Sequence, residues 1–106
     1  MTNLSEQEFG VKSDQALGAA RQALLPLADS EGFEVELQNG VLDLVFEEPA
    51  VTKFVVSPNA PVRQIWVSAM SRSFKLSWVP ETGMFALNGE GLPQLLERLT
   101  REFLGK

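Results

Sequence analysis

Residues 57–69, Ser-Pro-Asn-Ala-Pro-Val-Arg-Gln-Ile-Trp-Val-Ser-Ala, leave little freedom of local structure. Pro58 and Pro61 fix their own φ and push the preceding residues toward extended geometry, so the approach is rigid and non-helical. Gln64 to Ser68 then alternate with period two, the mark of a strand with one buried face. With Ile65 and Val67 turned to the core, Gln64, Trp66 and Ser68 share the opposite face, which is otherwise polar. A tryptophan in that setting has two natural uses. It packs under a loop or second layer, or it anchors a partner, since exposed aromatics rimmed by polar groups serve as interface hot spots.

The rest of the chain supplies layers on either side of this strand. Over roughly residues 5–30 the spacing is helical, with Phe9, Ala16, Ala20, Leu24 and Leu27 near one face. Ser5 followed by Glu8 fits a capping box, and Pro26 is expected to bend or shorten the last turn. Phe33, Val35 and Leu37 alternate with Glu34, Glu36 and Gln38 before Asn39-Gly40, a strong two-residue hairpin signal. Leu42, Leu44 and Phe46 point inward on the return strand. Residues 52–56 predict a third strand with Phe54 and Val56 in the core, followed by a turn over 57–61. A polar loop at 71–73 precedes Phe74, Leu76 and Trp78, and a short strand at 84–87 follows the turn at 80–83. Asn88-Gly89-Glu90-Gly91 is expected to break the sheet. From Leu92 to Leu104 the period is helical again, with Pro93 in the first turn, where a missing N–H costs nothing. The expected class is α+β, a two-layer sandwich. Its N- and C-terminal helices pack on one face of a five- to six-stranded antiparallel sheet, and the other face is open to solvent.

Composition narrows the chemistry. The chain has 106 residues, read as a single domain over 1–106. It contains no cysteine and no histidine, which removes thiol nucleophiles, thiolate metal sites, histidine triads and the commonest general base. Serine nucleophiles lack a partner, and no glycine-rich phosphate loop is present. A metal would have to use oxygen ligands. With 14 acidic against 9 basic residues the net charge is −5, so nucleic-acid binding is not expected and a cation or cationic protein is the natural partner. No apolar run approaches the roughly 18 residues of a membrane span, and no signal-peptide pattern opens the chain, so a cytoplasmic protein without membrane association is expected. Asp29, Glu31 and Glu34 lie close together across the first helix–strand connection, either as a solvated acidic surface or as a shallow cation site. Lys53, Arg63, Arg72 and Lys75 are scattered and read as solubilising.

These residues resemble the frataxin family, including its bacterial CyaY-type members, over nearly the whole chain. Asn39-Gly40-Val41-Leu42 is similar to the family's Gly-Val-Leu hairpin, and Pro61 through Ser68 to its Pro-x-x-Gln-Ile-Trp strand. Phe74 to Trp78 follows at the family's distance, and Gly89-x-x-Leu92-x-x-Leu95-Leu96 resembles the start of its last helix. The resemblance implies the same sandwich and a role in iron–sulfur cluster assembly. That role is weak surface binding of ferrous or ferric iron and modulation of a cysteine desulfurase and its scaffold protein. It implies iron held by Asp14, Asp29, Glu31 and Glu34, and partner contact through Trp66, Gln64 and Asn59. Ridge positions usually acidic in the family read Arg21, Gln22, Leu25 and Pro26, the position near the helix start that often carries histidine in bacterial members is Gly10, and Ser57 stands where asparagine is common. The expected protein is a monomeric binding and regulatory factor rather than an enzyme, with ferroxidase-type chemistry or another oxygen-ligand metalloenzyme as the more distant readings. The alternative is a metal-independent protein-binding module or small acidic chaperone using the open sheet face.

Overall fold

The first helix begins where its capping chemistry requires. In the computed structural model, which describes residues 4–106, α1 spans Glu6–Glu31 behind Ser5. Residues 1–3 of the expected domain lie outside the described residues. The Ser5 hydroxyl accepts from the Glu8 N–H at 3.1 Å, and the Glu8 carboxylate accepts from the Ser5 N–H at 2.9 Å. Those bonds, the backbone one foremost, hold the Glu8 carboxyl below its ordinary acidity range. The buried stripe is Phe9, Ser13, Leu17, Ala20, Leu24 and Ala28. Ala16 and Leu27, expected inside, are only half-buried, and Ser13 is accommodated because its hydroxyl donates to the Gly10 carbonyl at 3.2 Å. Pro26 does not shorten the helix. Both Pro26 and Gln22, whose carbonyl would have received the missing N–H, are exposed, so water can serve that carbonyl while Leu24 and Ala28 stay in the core. The helix closes at Gly32, whose φ of 81° lets its own N–H and that of Phe33 both reach the Ala28 carbonyl.

Seven strands follow as an antiparallel meander in sequence order: β1 Glu34–Gln38, β2 Val41–Phe46, β3 Thr52–Asn59, β4 Gln64–Ala69, β5 Arg72–Val79, β6 Met84–Leu87 and β7 Glu90–Gly91. The class is the expected one, and the sheet gains a strand. At Asn88-Gly89 both residues adopt positive φ, as at Asn39-Gly40, so the chain turns back into β7 instead of leaving the sheet. The loop expected at 71–73 is a tighter turn at Met70-Ser71, both with positive φ and without glycine. The turn expected over 57–61 is also displaced. Strand β3 runs on to Asn59, pairing Ser57 with Trp66, Pro58 with Ile65 and Asn59 with Gln64. The β2–β3 register ends at Leu42 opposite Val56, so Pro58 has a strand neighbour on one side only and its absent N–H is tolerated. A single 3-10 turn, Ala60–Val62, and left-handed Arg63 (φ 54°) complete the reversal.

Helix α2, Leu92–Leu104, packs beside α1 on the same sheet face and buries Leu92, Leu95, Leu96 and Leu99. Alternate strand residues (Leu42, Leu44, Phe46, Phe54, Val56, Ile65, Val67, Leu76) meet the helices in one core. Each such fully buried side chain contributes roughly 1.5–3 kcal/mol. Phe46 touches Phe33, Phe54 and Phe103, with ring centroids 4.8–4.9 Å away. No helix among the described residues is long and apolar enough to cross a membrane. Because both helices take one face, the outward residues of β2–β5 have no covering layer.

Candidate partner-binding face

Strand register determines who meets whom on the open face. Trp66 lies between Ser57 on β3 and Lys75 on β5, and Gln64 between Asn59 and Ser77. The indole N–H donates to the Gln64 side-chain oxygen at 2.9 Å, and the Gln64 amide nitrogen donates to the Ser77 hydroxyl at 3.3 Å. The Lys75 ammonium sits 4.8 Å from the Trp66 ring centroid, within cation–π range. Trp66 is nevertheless 36% exposed. Its polar handle is satisfied within the chain, so what it offers outward is the apolar ring, held by Gln64 at the N–H and by Lys75 over the ring. Asn59 is half-buried at the end of β3 and makes no side-chain cap on the turn that follows. Of the three residues expected to meet a partner, Trp66 and Gln64 are joined directly, and Asn59 is brought opposite Gln64.

The cations read as scattered have individual roles. Arg63 donates to the Ala60 carbonyl at 2.6 Å and the Leu4 carbonyl at 3.1 Å, tying the β3–β4 turn to the segment before α1. Arg72 pairs with Glu102 at 3.1 Å, and Lys53 lies 4.0 Å from Asp43. Lys75, expected to be solubilising, instead sits over the Trp66 ring, and its alternation with Phe74 and Leu76 is the sequence signal for that outward position.

The acidic residues are arranged differently. Asp14 and Asp29 are exposed on α1, fifteen positions apart in sequence, which is about 22 Å along a helix. Glu31 is half-buried and held by Lys106 at 3.4 Å, and Glu34 is exposed opposite Val45 at the start of β1. Among the described residues no three Asp, Glu, His or Cys side chains gather into a group that could hold a metal ion. The structure therefore does not bring the four expected iron ligands into one chelating set. Separate carboxylates of this kind attract hydrated cations weakly. Glu36, opposite Asp43 on the outer face, extends the acidic edge along β1 and β2.

A family profile described as a frataxin-like domain matches residues 2–106. The chain belongs to the frataxin-like family. It is 34% identical over 91 residues to the iron–sulfur cluster assembly protein CyaY of Pseudomonas syringae, covering 82% of this chain and 81% of that one. It is 31% identical over 108 residues to the CyaY protein of Pseudomonas putida F1, covering 98% and 93%. Frataxin from Psychromonas ingrahamii superposes with a TM-score of 0.69 at 15% identity, covering 97% of this chain and 94% of its own. Yeast frataxin superposes with a TM-score of 0.68 at 24% identity, covering 97% and 85%. At those identities the superpositions establish the fold of this frataxin-like chain. Its side-chain geometry is its own: an organised Trp66 face and a dispersed acidic edge.

Proposed function

We propose that this frataxin-like chain serves iron–sulfur cluster assembly as a docking protein. It modulates a cysteine desulfurase–scaffold complex through the Trp66 face, with iron as weakly held surface cargo at Asp14, Asp29, Glu31 and Glu34. The observation that carries the reading is Trp66 itself, an exposed aromatic locked by Gln64 and Lys75 on an uncovered sheet. An anchor already held in one conformation loses little entropy on binding, so more of its burial appears as affinity. The Pseudomonas relatives are iron–sulfur cluster assembly proteins, which supports the setting.

The chain's composition supports how it acts. Without cysteine it cannot carry sulfur as a persulfide, and without histidine it has no ordinary general base, so its effect on sulfur transfer is noncovalent. A docked regulator changes a partner's rate by favouring one of its conformations, and couplings of about 1–3 kcal/mol span roughly 5–150-fold. The reading is of a monomeric, cytoplasmic binding protein rather than an enzyme. The test is sulfide production by the desulfurase–scaffold complex with wild-type or Trp66→Ala protein. Wild-type protein is expected to change the rate and Trp66→Ala to lose that effect with its fold intact. An equal effect from both would overturn the reading. A metal-independent docking module is the second reading, favoured by the dispersal of the carboxylates. It predicts the same Trp66 dependence with no response to added iron.

A further inference from the structure

Beside Trp66 lies a hollow lined by Val55, Ser57, Ser68, Ser73 and Lys75. Register brings these together from three strands: Ser57 faces Trp66, Trp66 faces Lys75, Ser68 faces Ser73, and Val55 faces Ser68. Other cations nearby have a carboxylate, Asp43 for Lys53 and Glu102 for Arg72. Among the described residues Lys75 has none within 4.0 Å, and its ammonium rests on the indole ring. Nor does any of the three serine hydroxyls make a side-chain hydrogen bond there. Three hydroxyls able to donate, one ammonium and no carboxylate in the lining describe a receptor for hydrogen-bond acceptors.

We infer that this hollow is a carboxylate subsite, taking an Asp or Glu side chain of the partner protein that docks on Trp66. The inference rests on the docking reading and gives it a chemistry. One ammonium balances one negative charge, and hydroxyls complete the coordination of a carboxylate. A phosphate dianion would leave a charge uncompensated on a chain already at −5. With strands about 4.8 Å apart, Ser57 and Lys75 each lie one strand from Trp66, and Ser68 and Ser73 form the next outward row beside Lys75. Locally, then, the face selects an acid, although the protein as a whole is acidic.

The isolated full chain tests this without the partner. Amide NMR is recorded while sodium N-acetylglutamate is added at constant ionic strength, with sodium chloride and inorganic phosphate as parallel titrations. Saturable shifts at Ser57, Ser68, Ser73 and the Trp66 indole N–H are expected. Lys75→Gln and the triple Ser57→Ala/Ser68→Ala/Ser73→Ala variant should each weaken them about fivefold or more, and Lys75→Arg should keep them. Shifts that follow the chloride curve, that survive Lys75→Gln, or that phosphate produces more tightly than N-acetylglutamate would overturn the proposal. With the desulfurase–scaffold complex, Lys75→Glu should cost more binding than Lys75→Gln. Saturable N-acetylglutamate binding without any complex formation would keep the subsite and remove the docking reading. Complex formation without the N-acetylglutamate response would do the reverse.

Discussion

Around Trp66 each side chain has a neighbour assigned by strand register, whereas Asp14, Asp29, Glu31 and Glu34 are distributed along a helix and across a connection. On the sheet, alternation and pairing bring Trp66, Gln64, Ser77 and Lys75 into contact from positions up to thirteen residues apart. On α1, 1.5 Å of rise per residue carries Asp14 away from Asp29, and Glu31 is already committed to Lys106. Preorganisation makes a side chain able to recognise a specific partner, while dispersed charge supplies only attraction. The difference supports the proposal that docking uses the sheet face.

The largest effects should come from splitting strand β4 by parity. Ile65→Ala removes a fully buried side chain and is expected to cost about 2–4 kcal/mol of stability in a denaturant titration. Trp66→Ala, one residue on, should cost under about 1 kcal/mol while lowering affinity for the desulfurase–scaffold complex roughly 30-fold in calorimetry. If the two variants lost stability equally, Trp66 would be a packing residue. Next in size is Gln64→Leu, which frees the indole N–H and the Ser77 hydroxyl. It should lower complex affinity several-fold, with the Trp66 indole resonance shifting in the NMR spectrum and little change in melting temperature.

At the acidic edge the effects should be smaller. Glu31→Gln with Glu34→Gln is expected to change ferrous-iron binding by less than about threefold, and 0.3 M salt should weaken wild-type binding by as much. A tenfold loss in the double variant would reveal a chelating site. Smallest are the structural carboxylates. Glu8 is held down by Ser5, and Glu90 by the paired Arg98 side chain 2.9 Å away. Both folded-state acidities lie below the ordinary value of 4.5, so each contributes stability that is present above that pH and lost as pH falls through the folded value. Replacing both with glutamine should flatten the stability curve below about pH 4.5, leaving docking at neutral pH unaltered.

Local signals carried much of this fold. Ser5 and Glu8 cap α1, Asn39-Gly40 turns the first hairpin, and the leucine spacing of α2 needed no tertiary information. What escaped depended on neighbours. Pro58 belongs to a strand only because β2 has already ended beside it, and Pro26 stays helical because core burial on either side outweighs one lost hydrogen bond. Strand β7 was detectable, since Asn88-Gly89 repeats the Asn39-Gly40 hairpin signal. At the site, the outward parity of Gln64 and Trp66 was legible. Lys75's place over the indole followed only once β4 was registered on β5, whereas a helix over roughly residues 5–30 already implied the separation of Asp14 from Asp29.

The most direct measurement compares two variants in one assay of sulfide production by the desulfurase–scaffold complex. Trp66→Ala is set against a chain with Asp14→Asn, Asp29→Asn, Glu31→Gln and Glu34→Gln together. The account predicts that Trp66→Ala loses modulation of the complex while the fourfold-neutralised chain keeps it within a few-fold of wild type. Modulation that survives Trp66→Ala and disappears with the four carboxylates would contradict it.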